Sequence, residues 1–221
     1  MVSKESDDPG TVAGVPRSGR LTSEERKVQI IESTLLLVGK YGVRGTTTSR
    51  IAGETGISEA ALYRHFTGRD EIILAALDAL FERIYDVIDS TADQPDAVER
   101  LRQIGLTHIA RVSSAPDSFV APFLGFVTAP SDLGLRELLS DKQIAATRAL
   151  AEIIDLGKAQ GTILSEVDSE QVAWELVGAY WTEDIASIMG LRQFADHKRT
   201  ARMIEMILHS ILVTQQHKAT P

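Results

Sequence analysis

The chain has 221 residues, no cysteine and a formal net charge of -8. This length allows one large domain or two smaller ones, and the lack of cysteine excludes disulfides, thiolate nucleophiles and cysteine-based zinc sites. Apolar residues make up 43% of the sequence and charged residues 24%, which is typical of a folded globular protein. We find no apolar run near the roughly 18 residues that cross a bilayer and no secretory signal pattern, so we expect a cytoplasmic protein with no membrane partner.

The charge is divided unevenly along the chain. Residues 20–69 contain eight Lys/Arg and five Asp/Glu, whereas residues 70–221 contain thirteen and 23. A basic segment attached to an acidic remainder can approach phosphates with one end only. This asymmetry predicts an anionic partner for the first part of the chain.

Residues 1–20 are rich in Gly, Ser, Asp and Pro without periodicity, and we expect a disordered tail. The segment LTSEERKVQIIESTLLLVGKYG predicts an amphipathic helix that begins with Thr22 and Glu25 in capping-box spacing and ends at Gly42. Two short helical segments follow, and then a longer helix over residues 69–89, which would span roughly 30 Å.

Beyond Pro95 the pattern stays helical and never alternates as strands would, so the sequence predicts an all-α protein. The predicted helices lie near residues 96–113, 117–128, 136–160, 168–190 and 195–216.

The segment TTTSRIAGETGISEAALYRHF has the features of a helix-turn-helix. Gly56 can adopt the positive φ that ends one helix and redirects the chain, and Ser58 can cap the next helix. The expected buried residues are Ile51, Ala52, Ile57, Leu62 and Phe66. Small residues in the first turn of the second helix would let its backbone enter a major groove about 12 Å wide.

The longer segment TTTSRIAGETGISEAALYRHFTGRDEIILAAL, from Thr46 to Leu77, resembles the DNA-binding segment of TetR/AcrR-type transcriptional regulators. The resemblance implies that Thr47 caps the first helix of the motif against a phosphate and that residues 58–64 read the groove. It predicts a helix-turn-helix DNA-binding domain at residues 21–68 and a helical effector-binding and dimerisation domain at residues 69–221. The candidate DNA-binding residues are Arg44, Thr47, Thr48, Arg50, Ser58, Glu59, Ala60, Ala61, Tyr63, Arg64, His65 and Arg69.

Several of these residues have alternative interpretations. The arginines could be solvated surface charges, and Tyr63 could belong to the core while still offering its hydroxyl to a phosphate. The Glu59 carboxylate could stabilise the positive end of the helix dipole, or it could accept a hydrogen bond from a cytosine amine. Glu59 stands where Lys is frequent in the family, and Ala60 where Gly is frequent, so the resemblance does not define the operator sequence.

The family resemblance also implies homodimerisation through the last two long helices and a ligand cavity among the middle ones. Both late helices have apolar residues on more than one side, which predicts two partners for each. A monomer with both helices internal is the alternative. The candidate dimer residues are Tyr180, Met203, Ile207 and Ile211.

The cavity candidates are aromatic or polar residues on otherwise apolar helices. An aromatic stripe at helical spacing is also typical of a core, and a buried histidine can be purely structural. A small, largely apolar effector is expected, with no cofactor and no metal. The candidate ligand-binding residues are Tyr85, His108, Phe119, Phe123, Phe126, Trp181 and Asp184.

The sequence therefore favours a ligand-responsive repressor of double-stranded operator DNA. A chromosome-organising protein of the same family, without an effector, is the alternative. We expect no enzymatic activity, because the sequence lacks a Gly-rich phosphate loop, a His-Glu-x-x-His pair and a Gly-x-Ser-x-Gly elbow.

Overall fold

The computed structural model describes residues 21–129, 134–191 and 197–213, so the predicted tail at 1–20 lies outside the described residues. The described residues are helical apart from turns and one isolated bridge between Ile163 and Leu212, which confirms the all-α prediction. The helices are α1 (Ser23–Gly45), α2 (Thr48–Thr55), α3 (Glu59–Leu62), α4 (Arg69–Asp89), α5 (Ala97–Ser114), α6 (Pro116–Val127), α7 (Leu135–Ala159), α8 (Ser169–Ile188) and α9 (His197–Ile211).

Helix α1 begins as its sequence predicts and ends slightly later. The Thr22 side chain accepts from the Glu25 backbone N–H at 3.2 Å, and the Glu25 carboxylate accepts from the Thr22 N–H at 2.7 Å, which completes the capping box. These hydrogen bonds lower the pKa of Glu25. At Gly42 the φ of 67° interrupts the helix, which resumes for one more turn to Gly45. The predicted end is therefore a kink.

Three clusters of buried apolar residues form the interior of the described chain. The first, which we call the head core, joins α1, α2 and α3 to the start of α4 and contains Ile30, Leu37, Ile51, Ala52, Leu62, Phe66 and Ile72. A second cluster joins the later part of α1 to α4, α5, α6 and the start of α7. A third joins the end of α4 with α5, α7, α8 and α9. Helix α1 supplies residues to two clusters and α4 to all three. The head, by which we mean α1, α2, α3 and the start of α4, therefore packs directly on the rest of the chain.

Helices α1 and α6 cross at very short range. A methyl group added at Gly125 would lie 2.5 Å from the carbonyl oxygen of Val38, and one added at Gly39 would lie 3.0 Å from the backbone nitrogen of Pro122. Two glycines therefore allow backbone-to-backbone contact where the head helix α1 meets α6.

Across the described residues, every helix is too short or too polar to cross a membrane.

Candidate nucleic-acid interface and cavity

The turn between α2 and α3 has the predicted helix-turn-helix geometry. Thr47 caps α2 by accepting from the backbone N–H of Arg50 at 3.3 Å. Gly56 ends α2 with φ 69° and ψ 29°, a left-handed conformation that costs glycine little. Ser58 then caps α3 by accepting from the Ala61 N–H at 3.1 Å. The predicted caps and the turn are confirmed, whereas the phosphate contact of Thr47 stays a prediction.

Helix α3 is a single turn that points its apolar side inward and its remaining residues out. Leu62 is fully buried in the head core, Ala60 is exposed and Ala61 is half-buried. Tyr63 and Arg64 follow the helix in a turn, and Tyr63 is 51% exposed. Tyr63 therefore lies on the surface of the head, which removes the core alternative.

The side chains of Thr48 and Glu59 bind each other. The Thr48 hydroxyl donates to the Glu59 carboxylate at 2.8 Å, which links the start of α2 to the start of α3. Glu59 is the first residue of α3, where a negative charge also stabilises the helix dipole. This pair is a hydrogen bond between the two helices of the motif, in addition to their contacts in the head core.

Two further predicted contact residues also have partners within the head. The Arg50 guanidinium lies over the ring of Tyr41, 4.5 Å from its centroid, and donates to the Gly45 carbonyl. His65 is half-buried, with Nδ1 3.3 Å from the Ser23 hydroxyl oxygen. Arg44 is exposed in the last turn of α1. The Arg50–Tyr41 stacking could not be predicted from local spacing, because residues nine apart meet only across the α1–α2 turn.

Arg69 at the start of α4 turns toward the protein. Its Nε donates to the Thr46 carbonyl at 2.7 Å, Nη2 donates to the Val43 carbonyl, and Nη1 lies 3.1 Å from the Asp70 carboxylate. The family resemblance made Arg69 a candidate DNA-binding residue. In the structure it joins the end of α1 to the start of α4, and thereby positions the head.

Replacing Arg69 with lysine is expected to lower the free energy of unfolding by about 1–3 kcal/mol, because an ammonium group cannot reproduce a planar fork on two carbonyls. Urea unfolding measures the effect. Arg64→Lys is the matched control, since Arg64 is exposed and surface substitutions usually stay within about 0.5 kcal/mol. Equal stability of the two variants would show that the fork contributes nothing.

A cavity of about 70 Å³ lies among α4, α5, α6, α7 and α8. The structure brings five of the seven predicted ligand-binding residues to its wall: His108, Phe119, Phe123, Trp181 and Asp184. Tyr85 and Phe126 do not line it. The Tyr85 hydroxyl donates to the Lys142 carbonyl at 3.3 Å, and Phe126 is buried in the second cluster. The sequence missed the remaining wall residues, namely Ile84, Val87, Ile88, Ile104, Gln143, Ala146, Leu150, Val177 and Tyr180.

Two of the four predicted dimer residues are inside the chain. Tyr180 is 8% exposed and lines the cavity, and Ile211 is 4% exposed in the third cluster. Both positions thus correct the expectation that they form a surface. Ile207 is partly buried against the same cluster, whereas Met203 is exposed. Sequence periodicity could not separate these sides, because α8 and α9 are apolar on more than one face.

The geometry of the motif agrees with a comparison against protein families. Residues 30–76 match the family model for bacterial regulatory proteins of the tetR family. This segment of the chain therefore matches the tetR family. This match extends from the middle of α1 into α4 and includes every residue of the head core.

Two curated relatives match over part of their length. Nucleoid occlusion factor SlmA of Colwellia psychrerythraea is 38% identical over 80 residues, which cover 36% of this chain and 40% of that protein. The HTH-type transcriptional repressor KstR2 of Mycobacterium tuberculosis is 34% identical over 80 residues, which cover 34% of this chain and 40% of that protein. The match thus spans about two fifths of the length of these relatives.

The likeness of fold extends over most of the chain. The transcriptional regulator FadR from Bacillus subtilis, solved in complex with stearoyl-CoA, superposes with a TM-score of 0.71 at 17% identity. The superposition covers 83% of this chain and 98% of that one. At this identity the likeness concerns the fold alone.

Proposed function

We propose that this chain is a ligand-responsive transcriptional repressor whose dimer binds operator DNA and is released by a small effector. The observation that carries the proposal is the exposed turn of α3 on the basic part of an acidic chain. Ala60 leaves room for close approach to base edges, and Tyr63 and Arg64 extend outward beside it. This arrangement suits insertion into a major groove.

In the proposed head, some residues hold the motif in place and others contact DNA. Thr48, Glu59 and Arg69 hold the motif together, so that residues 58–64 can meet DNA with little loss of conformational freedom. In this proposal Arg64 contacts a phosphate, and Ala60 and Ala61 face the bases. Phosphate contacts add affinity and salt dependence, whereas base contacts add specificity.

A homodimer would supply the second head. On α8, Trp174 and Ile185 are about half exposed, and on α9, Met203 and Met206 are exposed, Met206 by 66%. Burying these four side chains against a second copy removes apolar surface from water and pairs two heads for two half-sites. Sedimentation as a monomer at micromolar concentration would contradict this pairing.

A displacement of the cavity wall by a bound effector would be transmitted to the head through α4 and α6. Ile84, Val87 and Ile88 of α4 and Phe119 and Phe123 of α6 form part of the cavity wall. Helix α4 begins at the head, and α6 contacts α1 closely at Gly39 and Gly125. A ligand that displaces this wall therefore changes the placement of the heads, with a coupling free energy of typically about 1–3 kcal/mol.

A chromosome-organising protein without an effector is a second candidate. The 38% identity with a nucleoid occlusion factor favours it, whereas the similarly close match to a repressor and the cavity favour regulation.

Genome-wide mapping of the bound protein separates the two candidates. A repressor is expected at a few promoters, each containing two half-sites about 34–36 Å or a multiple of that apart. Many dispersed sites would instead indicate an organising protein. The variant with both Tyr63 and Arg64 replaced by alanine gives the background, and no site above that background would contradict both candidates.

A further inference from the structure

Three of the polar residues that line the cavity, His108, Tyr180 and Asp184, form a compact cluster on α5 and α8. His108 Nε2 lies 3.1 Å from Asp184 Oδ1, and the two side chains are 13% and 7% exposed. The ring of Tyr180 lies 4.8 Å from that of His108 at an angle of 30°, and the ring of Phe119 meets that of His108 edge-on at 5.7 Å. These contacts fix the imidazole and, through it, the Asp184 carboxylate.

The Asp184 carboxylate has room for a further hydrogen-bond donor. Within the described part of the chain, His108 is its one hydrogen-bond partner. An ionised carboxylate offers about four acceptor positions, and a buried charge needs several of them satisfied. Tyr180 is no alternative donor to Asp184, because its hydroxyl has no hydrogen-bond partner among the described residues. Burial raises the pKa of this hydroxyl, which therefore stays protonated.

The charge of the wall restricts the ligand. Among the described residues that line the cavity, Asp184 is the one acid, none is lysine or arginine, and the remainder are apolar apart from His108, Gln143 and Tyr180. An anionic head group would face Asp184 with at most a protonated histidine to balance it. A cationic or neutral donor would complete the hydrogen bonding of the carboxylate.

We propose that this cavity binds a small, mainly apolar molecule whose single polar group is a hydrogen-bond donor, and that this donor binds Asp184 beside His108. A protonated amine binds more tightly than a hydroxyl, because its charge is attracted by the carboxylate, and the aromatic side chains of the same wall can add to this attraction. Carboxylic acids are excluded. The inference depends on the proposed function for its regulatory meaning, but the binding itself does not require DNA.

The size of the cavity sets a second condition on the ligand. At about 70 Å³ it is smaller than the cavity of about 150 Å³ that holds benzene in an engineered protein. A ring-sized ligand must therefore displace part of the wall. Phe123 and Trp181, 6.5 Å apart between ring centroids, connect α6 to α8 at this wall, so that such displacement moves α6.

Three probes with one phenyl ring and different head groups test the proposal: phenethylamine, phenethyl alcohol and phenylacetate. Thermal unfolding and calorimetric titration of the full chain are measured with each probe up to about 10 mM, where a ligand that binds the folded state raises the midpoint. The amine is expected to raise it most, the alcohol less, and phenylacetate not at all. This ranking on the unaltered chain requires no variant.

The variant Asp184→Asn keeps the shape and removes the charge, and is expected to weaken phenethylamine binding at least about tenfold while changing phenethyl alcohol binding less. Asp89→Asn, an exposed position at the end of α4, is the matched control and should bind all three probes as the unaltered chain does. Three results would overturn the proposal: phenylacetate binding as tightly as phenethylamine or more tightly, no binding of any probe, or unchanged phenethylamine binding by Asp184→Asn. If DNA binding without probes is intact in that case, the ligand class fails while the DNA-binding function stands.

Discussion

Replacing both Tyr63 and Arg64 with alanine is expected to weaken binding to a genomic duplex selected by the unaltered protein by about 30-fold or more. The two side chains are exposed beside α3, and losing two contacts at each head corresponds to a free energy of about 2–3 kcal/mol or more. Fluorescence anisotropy at a stated salt concentration measures the affinity.

The salt dependence separates the two contributions. Removing Arg64 is expected to reduce the slope of log K against log salt by about one unit for each head, because one phosphate contact is lost. The Tyr63 replacement alone should leave the slope unchanged. Arg148→Ala is the control, since Arg148 is an exposed cation on α7, outside the head. Affinity of the double variant equal to that of the control would remove α3 as the reading element.

Replacing Gly125 with alanine is expected to lower the free energy of unfolding by about 1–3 kcal/mol or more. The added methyl would lie 2.5 Å from the Val38 carbonyl oxygen, which belongs to a helix backbone and cannot rotate away. Because α1 must move to accommodate it, the DNA affinity of the folded variant should fall as well. Urea unfolding at neutral pH measures the stability.

Gly53→Ala provides a control of opposite sign. Gly53 lies inside α2, and a methyl group there meets no atom within 4 Å beyond its chain neighbours and the backbone of its own helix. Alanine is the better helix former, so this replacement should raise the free energy of unfolding by about 0.5–1 kcal/mol. Equal effects of the two substitutions would show that the α1–α6 crossing tolerates an extra methyl group.

The sequence predicted the head well because its signals are local. These signals are capping pairs such as Thr22 with Glu25, the turn at Gly56 and the helical spacing of buried positions. Each depends on residues within a few positions of one another. The family resemblance contributed the function implied for these positions, which local chemistry alone does not supply.

The remaining sites depend on contacts between distant residues. Arg69 reaches carbonyls 23 and 26 positions earlier, and the sequence showed a basic residue opening a helix without showing the direction of its side chain. Tyr180 and Ile211 face inward and Met203 outward, although all three lie on helices that are apolar on several sides. Tyr85 and Phe126 share the aromatic character of the cavity residues but pack elsewhere. Helix orientation in the packed chain decides these cases.

The shared helices of the head have a consequence for exchanging recognition modules between relatives. Ile72, in the first turn of α4, completes the head core, and α1 also packs on α6 through Gly39. A transplant cut at residue 68 would separate Ile72 from the core that it completes. A transplant that replaced α1 would need a recipient whose α6 allows the same close contact with Gly39. Chimeras that switch operators are therefore best assembled by altering residues 58–64 within the resident scaffold.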